Sequence, residues 1–161
     1  MSGTSSFLSI GALLLFALAS LRFNTSVLEN TTVEVENKVY LTAFSLADDL
    51  IEEIKQKAFD AATIEFPTSD PSDLTPANSL GHSDIEIYPN YNDIDDFHTY
   101  SRTVSAPHAE NYSVSCQVWY VDGNNPDQRV YTQTFYKKVE VTVTSPYMRN
   151  AVKLSFIFTL K

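Results

Sequence analysis

The sequence predicts an α+β fold: a long N-terminal helix, apolar in its front half and amphipathic in its back half, packed on a small antiparallel β-sheet. Three observations carry that prediction. Residues 7–21, "FLSIGALLLFALASL", are apolar almost throughout. Residues 33–62 repeat apolar side chains at three- and four-residue steps, the period of one helix face. The last fifty residues alternate apolar and polar side chains, the period of a strand with one buried face.

The front run is interrupted only by Ser9, Gly11 and Ser20 and meets its first basic residue at Arg22. As a helix, about 15 residues rise about 22 Å, short of a hydrocarbon core of about 30 Å. Phe23, Val27 and Leu28 extend the apolar run, with Arg22 able to snorkel to the interface. Three readings stand side by side. "ALAS" places Ala17 and Ala19 for signal cleavage before Ser20, although the residues ahead of the run carry no basic side chain. A membrane anchor is the second reading. The third is a retained helix buried against other chains, because a soluble monomer does not leave such a run in water.

In the middle segment Val35, Val39, Ala43, Leu46, Leu50, Ile54 and Ala58 form one stripe, widened by Leu41, Phe44, Ala47 and Ile51. Asp48, Asp49, Glu52, Glu53, Lys55 and Lys57 take the opposite side, with Glu53 and Lys57 spaced as an i,i+4 pair. The helix is expected over 41–61. The preceding "TTVEVENKVY" is rich in β-branched residues and also reads as a strand. Proline is absent before Pro67, so one near-continuous helix over 5–62 is allowed.

Pro67, Pro71 and Pro76 make 66–81 a loop. Residues 84–88 read as a short edge strand ended by Pro89. Three strands follow in "NYSVSCQVWYV", "TFYKKVEVTVTS" and "AVKLSFIFTLK", separated by "DGNNPDQ" and "SPYMRN". In the second, Val139, Val141 and Val143 face one way, Glu140, Thr142 and Thr144 the other. In the third, Val152, Leu154, Phe156 and Phe158 oppose Lys153, Ser155 and Thr159. A three-stranded antiparallel meander with one apolar face needs a cover, and the 41–61 helix supplies it. The chain thus divides into an apolar helix at 1–30, an amphipathic helix at 31–63, and an acidic loop and sheet at 64–161 that form one globular domain with 41–62.

Composition bounds the function. A net charge of −9 over 161 residues disfavours binding to phosphate backbones, and no basic patch exists, so no nucleic-acid partner is expected. Cys116 is the single cysteine, which excludes an internal disulfide and a CxxC metal site and reads as a small buried apolar residue. His82, His98 and His108 lie in loop-like sequence, so a Cys–His catalytic pair is disfavoured. The chain has no glycine-rich phosphate loop, GxSxG or HExxH, and no enzyme activity is expected.

The best metal candidate is the oxygen-rich set Asn90, Asn92, Asp93, Asp95 and Asp96, suited to Ca²⁺ but without the spacing of an EF-hand. The competing reading is a solvated loop whose Asp and Asn residues cap turns. Asp48–Asp49 and Glu52–Glu53 read as the wet face of a helix rather than acid–base pairs. Trp119, Tyr120, Tyr131, Phe135 and Tyr136 read as sheet packing ahead of a stacking surface. Asn24, Asn30 and Asn111 match the N-x-[ST] pattern.

The apolar run, the helix "AFSLADDLIEEIKQKAF" and the closing "FYKKVEVTVTS" and "AVKLSFIF" together resemble the type IV pilin-like family of pilins, minor pilins and type II secretion pseudopilins. "NDIDDF" is similar to the acidic loop before the sheet in such proteins. The resemblance does not extend to the processing site: with a leader of "MSG", Leu8 stands at the fifth mature position, where the family carries Glu, and no acid precedes Glu29. It implies a structural subunit of an extracellular filament, held in the inner membrane before assembly. Its assembly helix would present Phe7, Leu8, Ile10, Leu13, Leu14, Leu15, Phe16, Leu18 and Leu21 to copies of itself or to related subunits. Calcium-stabilised loops in some pseudopilins bear on the Asn90–Asp96 set by the same analogy. The alternative is a membrane-anchored or secreted extracytoplasmic binding module.

Overall fold

The computed structural model describes residues 3–106 and 109–160, with side chains from Ser6 onward. The element order is one long helix, three short 3-10 turns and four strands. Helix α1 spans Gly3–Ile54, 52 residues without a break. The β-branched stretch that also read as a strand is helical. Thr25, Thr31 and Thr32 turn their hydroxyls back onto the carbonyls of Leu21, Val27 and Leu28, each at 2.9 Å. Lys38 pairs with Glu34 at 2.7 Å across one turn.

Helix α1 stops seven residues before the expected end. Its last α-type bond runs from Lys55 N–H to Ile51 O, and Gln56 and Lys57 then donate to Glu53 and Ile54 in tighter turns. The cause is tertiary. Ala58 donates to Asn92 O and accepts from Ile94 N–H, a short parallel bridge to the acidic loop that outweighs another helical turn. The expected Glu53–Lys57 pair is not made. Lys57 donates to Tyr91 O, Lys55 pairs with Glu52, and Glu53 accepts from the Tyr88 hydroxyl.

The chain divides into two compact units, one ending at Lys38 and one running from Val39. In the first, Phe7, Leu8, Ile10, Leu13, Leu14, Leu15, Phe16, Leu18 and Leu21 are all exposed, as are Phe23, Val27 and Leu28. By length and composition α1 is the one described helix able to cross a membrane, and none of its most apolar window is buried. A single apolar helix near the N-terminus is a candidate membrane anchor or signal sequence.

In the second unit, the rest of α1 packs on a four-stranded antiparallel sheet in the order β1-β2-β3-β4. The strands are β1 Ser101–Ala106, β2 Ala109–Tyr120, β3 Tyr136–Thr144 and β4 Val152–Thr159. The sequence expectation of three strands missed β1, and 84–88 forms turns rather than a strand. Strand β1 has no buried residue, and exposed side chains dominate it. It is an edge held by backbone pairing to β2, so no apolar stripe announced it.

The period-two reading of β2 and β3 holds. Tyr112, Val114, Cys116, Val118 and Tyr120 face inward on β2, and Val139, Val141 and Val143 on β3. From α1, Val39, Ala43, Ala47, Leu50, Ile51 and Ile54 meet them. Three residues of the expected helix stripe, Val35, Leu41 and Phe44, stay exposed. The small Ala43 and Ala47 let the helix lie close to the sheet.

Candidate functional site

The alternation of β3 continues one step beyond its valines. Lys137 is in phase with Val139, Val141 and Val143, so the pleat aims a lysine into the core. It pairs with Tyr120 on β2 and Phe158 on β4. The side chain is fully buried, with the ammonium 4.5 Å from the ring centre of Phe59 and 5.1 Å from that of Tyr120.

Two aspartates meet it. Lys137 Nζ donates to Asp60 Oδ2 at 2.7 Å and to the Phe59 carbonyl at 2.9 Å, and lies 2.6 Å from Asp95 Oδ1. Asp60 is placed by the break in α1: it caps the 3-10 turn Ala61–Thr63 through a reciprocal hydrogen-bond box with Thr63. Asp95 opens the 3-10 turn Asp95–Phe97, which the Ala58 bridge holds beside that cap.

The two carboxylates differ sharply. Asp60 accepts from Ala62 N–H, Thr75 N–H, the Thr75 hydroxyl and the Tyr120 hydroxyl as well as from Lys137. Burial pushes its pKa up, but Lys137 and these donors outweigh burial and hold it below the usual carboxylate value. Neither oxygen of Asp95 receives a hydrogen bond, and the short approach of Lys137 is a charge contact outside hydrogen-bond geometry. Burial, with the charges of Asp93 and Asp60 added, pushes Asp95 up to about 7 even against the lysine. The two carboxylates around one lysine are thus pushed in opposite directions.

The candidate calcium set is brought only partly together. Asn90 is exposed, and Asn92 turns its side-chain amide to Glu86 at 2.7 Å. Asp93 Oδ1 accepts from Asp95 and Asp96 N–H, while Asp96 Oδ2 accepts from Asn92 and Asp93 N–H. Burial and the neighbouring Asp96 charge push Asp93 up to about 6. Asp95 faces Lys137. Among the described residues no group of three or more His, Cys, Asp or Glu side chains is arranged to hold a metal ion. The turn-capping part of the sequence reading describes Asp93 and Asp96; the solvated part does not, since both are buried.

The other singled-out residues disperse. Cys116 is buried and its thiol is pushed up to about 12 by burial. His98 accepts from Val118 N–H through Nδ1, His82 stacks on Tyr91, and His108 lies outside the described residues. Asp48, Asp49 and Glu52 are exposed. Tyr120 is buried, Phe135 packs against the core, Tyr131 is exposed, and Arg129 lies over the Trp119 ring at 5.8 Å. An open groove beside the helix is lined by Leu46, Asp49, Glu53, Tyr88, Arg102 and Val104.

Sequence reasoning missed Asp60 and Lys137. The signal for Lys137 was present, since it stands two residues before a strict valine alternation. Nothing local marked Asp60, which lies inside the expected helix.

No protein-family model matches the chain, and comparison with curated proteins and with solved structures returns no match.

Proposed function

We propose that the chain is a structural subunit of an extracellular pilin-like filament, assembling through its apolar N-terminal helix. The observation that carries this reading is the exposed apolar surface of α1 from Phe7 to Leu21, continuous around the helix. A surface of that size needs an apolar partner. Lipid supplies one before assembly, and the same helix of sibling or related subunits supplies one afterwards. The α1-on-sheet arrangement from Val39 onward is compatible with a pilin-like fold and gives the filament an acidic, solvent-facing domain. The role is structural rather than enzymatic, with the inner membrane as the waiting place and the cell surface as the destination.

Deletion of residues 5–21 tests it. The expected product is a folded, monomeric domain that leaves the membrane and forms no filaments. Filaments assembled by the truncated chain would sink the reading. N-terminal sequencing of the mature protein separates it from a secreted binding module: a start at Ser20 means the helix is discarded, and a start at Met1, Ser2 or Thr4 means it is kept.

A further inference from the structure

We propose that Lys137 and Asp95 join in an intramolecular amide bond, with Asp60 as the group that takes the lysine's proton. The three side chains come from separate parts of the chain, the segment after α1, the turn before β1, and β3, and meet where none is more than 3 % exposed. The Lys137 Nζ is held by Asp60 and the Phe59 carbonyl at 2.7 and 2.9 Å, and is pressed to 2.6 Å from Asp95 Oδ1. The approach places the amine beside a carboxyl group neither oxygen of which receives a hydrogen bond.

The roles follow from the surroundings. An amine attacks only when neutral, so the ammonium must lose a proton to a neighbour, and Asp60 is the carboxylate it already donates to. A carboxyl group accepts attack in its acid form; Asp95 is buried, neither of its oxygens is held as an anion by a hydrogen bond, and it shares its one cation with the Asp60 carboxylate. The rings of Phe59 and Tyr120 enclose the nitrogen and keep water from reversing the reaction.

The step balances. Lys137 begins as an ammonium, Asp60 as a carboxylate and Asp95 as a carboxylic acid. The proton passes from Nζ to Asp60. The nitrogen lone pair forms a bond to Asp95 Cγ, and the bond from Cγ to the acid's hydroxyl oxygen breaks. That oxygen leaves as water with the acid's own proton and a second proton from nitrogen. The products are an amide, one water and a neutral Asp60, with no oxidant or co-reactant. Two buried charges are removed, which relieves the desolvation that a buried ion pair carries.

The test is peptide mapping of the purified, full-length chain in detergent after native folding. Trypsin should yield one branched species joining residues 58–102 to residues 130–138, lighter than their sum by one water, with fragment ions that place the link at Lys137 and Asp95. Asp95→Ala and Asp60→Ala should each lose the branched species, and Asp60→Asn, which preserves the shape of the cap, should lose it as well. Unlinked peptides from folded wild-type chain overturn the proposal. So does a water loss confined to Asp122–Gly123, where an imide would form instead, or a link to Asp60. A linked peptide that persists in Asp60→Asn overturns the assignment of Asp60 as proton acceptor.

Discussion

The ε-amino nitrogen of Lys137 sits 2.7 Å from Asp60 Oδ2, and neither side chain has any exposed surface. Replacing the lysine removes the cation beside Asp60 and, with it, the nitrogen of the proposed link to Asp95. Lys137→Met should therefore destabilise the folded domain by about 3–5 kcal/mol. The control is Lys153, which pairs with Glu140 at 2.9 Å on the surface with more than half of its side chain in water. Lys153→Met should cost no more than about 1 kcal/mol. Urea denaturation midpoints of the two variants, compared with wild type, check the contrast. Similar midpoints for both would mean that Lys137 does not sit in the core.

Asp93 makes stability depend on pH in the opposite sense to most carboxylates. Burial and the Asp96 charge raise its folded-state pKa to about 6. Because that lies above the unfolded value, the folded chain holds the proton more tightly. Asp93's contribution is fully present below about pH 4 and is lost as pH rises through 6. In the unlinked chain Asp60, with its lowered value, acts the other way and loses its contribution as pH falls below the ordinary carboxylate range. Asp93→Asn keeps an oxygen to accept from Asp95 and Asp96 N–H but does not titrate. The melting temperature of this variant should fall less than that of wild type between pH 4.5 and about 6.5. Parallel profiles would refute the assignment.

Thr99 lies at a φ of 65°, in the left-handed region that a β-branched side chain rarely adopts. It is exposed, and it joins the Asp95–Phe97 turn to β1, so its backbone is set by the neighbours it connects. Thr99→Gly relieves the Cβ clash at some cost in unfolded-state entropy, for a net gain of about 1 kcal/mol. Asn111, at a φ of 60°, is a residue type that tolerates this conformation, and Asn111→Gly should change stability little. Thermal melts of both variants decide it, and a loss at Thr99→Gly would show that the threonine side chain contributes more than its strain costs.

What the sequence disclosed and what it withheld divide along physical lines. The long helix, its inward stripe and strands β2 to β4 follow from periodicity, which is local. The end of α1 does not, because residues 55–61 keep a helical pattern and are stopped only by the bridge from Ala58 to Asp93. Strand β1 was silent because its side chains are not buried. The acidic loop was picked out for its oxygens, but its contact with a lysine of the chain itself was not. Lys137 lies 77 residues from Asp60, and no pattern within a window joins them. The phase of Lys137 with the β3 valines was the one clue that it needed a buried anion.

The apolar run of α1 allows a test that leaves the folded domain untouched. Leu14 stands near the middle of the run, is 61 % exposed and belongs to the unit that ends at Lys38. A lysine at the centre of a membrane helix costs about 2.5–3.5 kcal/mol of insertion free energy. Leu14→Lys should therefore shift the chain markedly from the membrane fraction to the soluble one, and abolish the proposed filament assembly. The same substitution should leave the melting temperature of the sheet domain unchanged. Leu41→Lys, at an exposed position on α1 within the second unit, should do neither. Membrane fractionation and thermal melts, run side by side on the two variants, separate a failure of anchoring from a failure of folding. If Leu14→Lys fractionates like wild type, the run is not in contact with lipid.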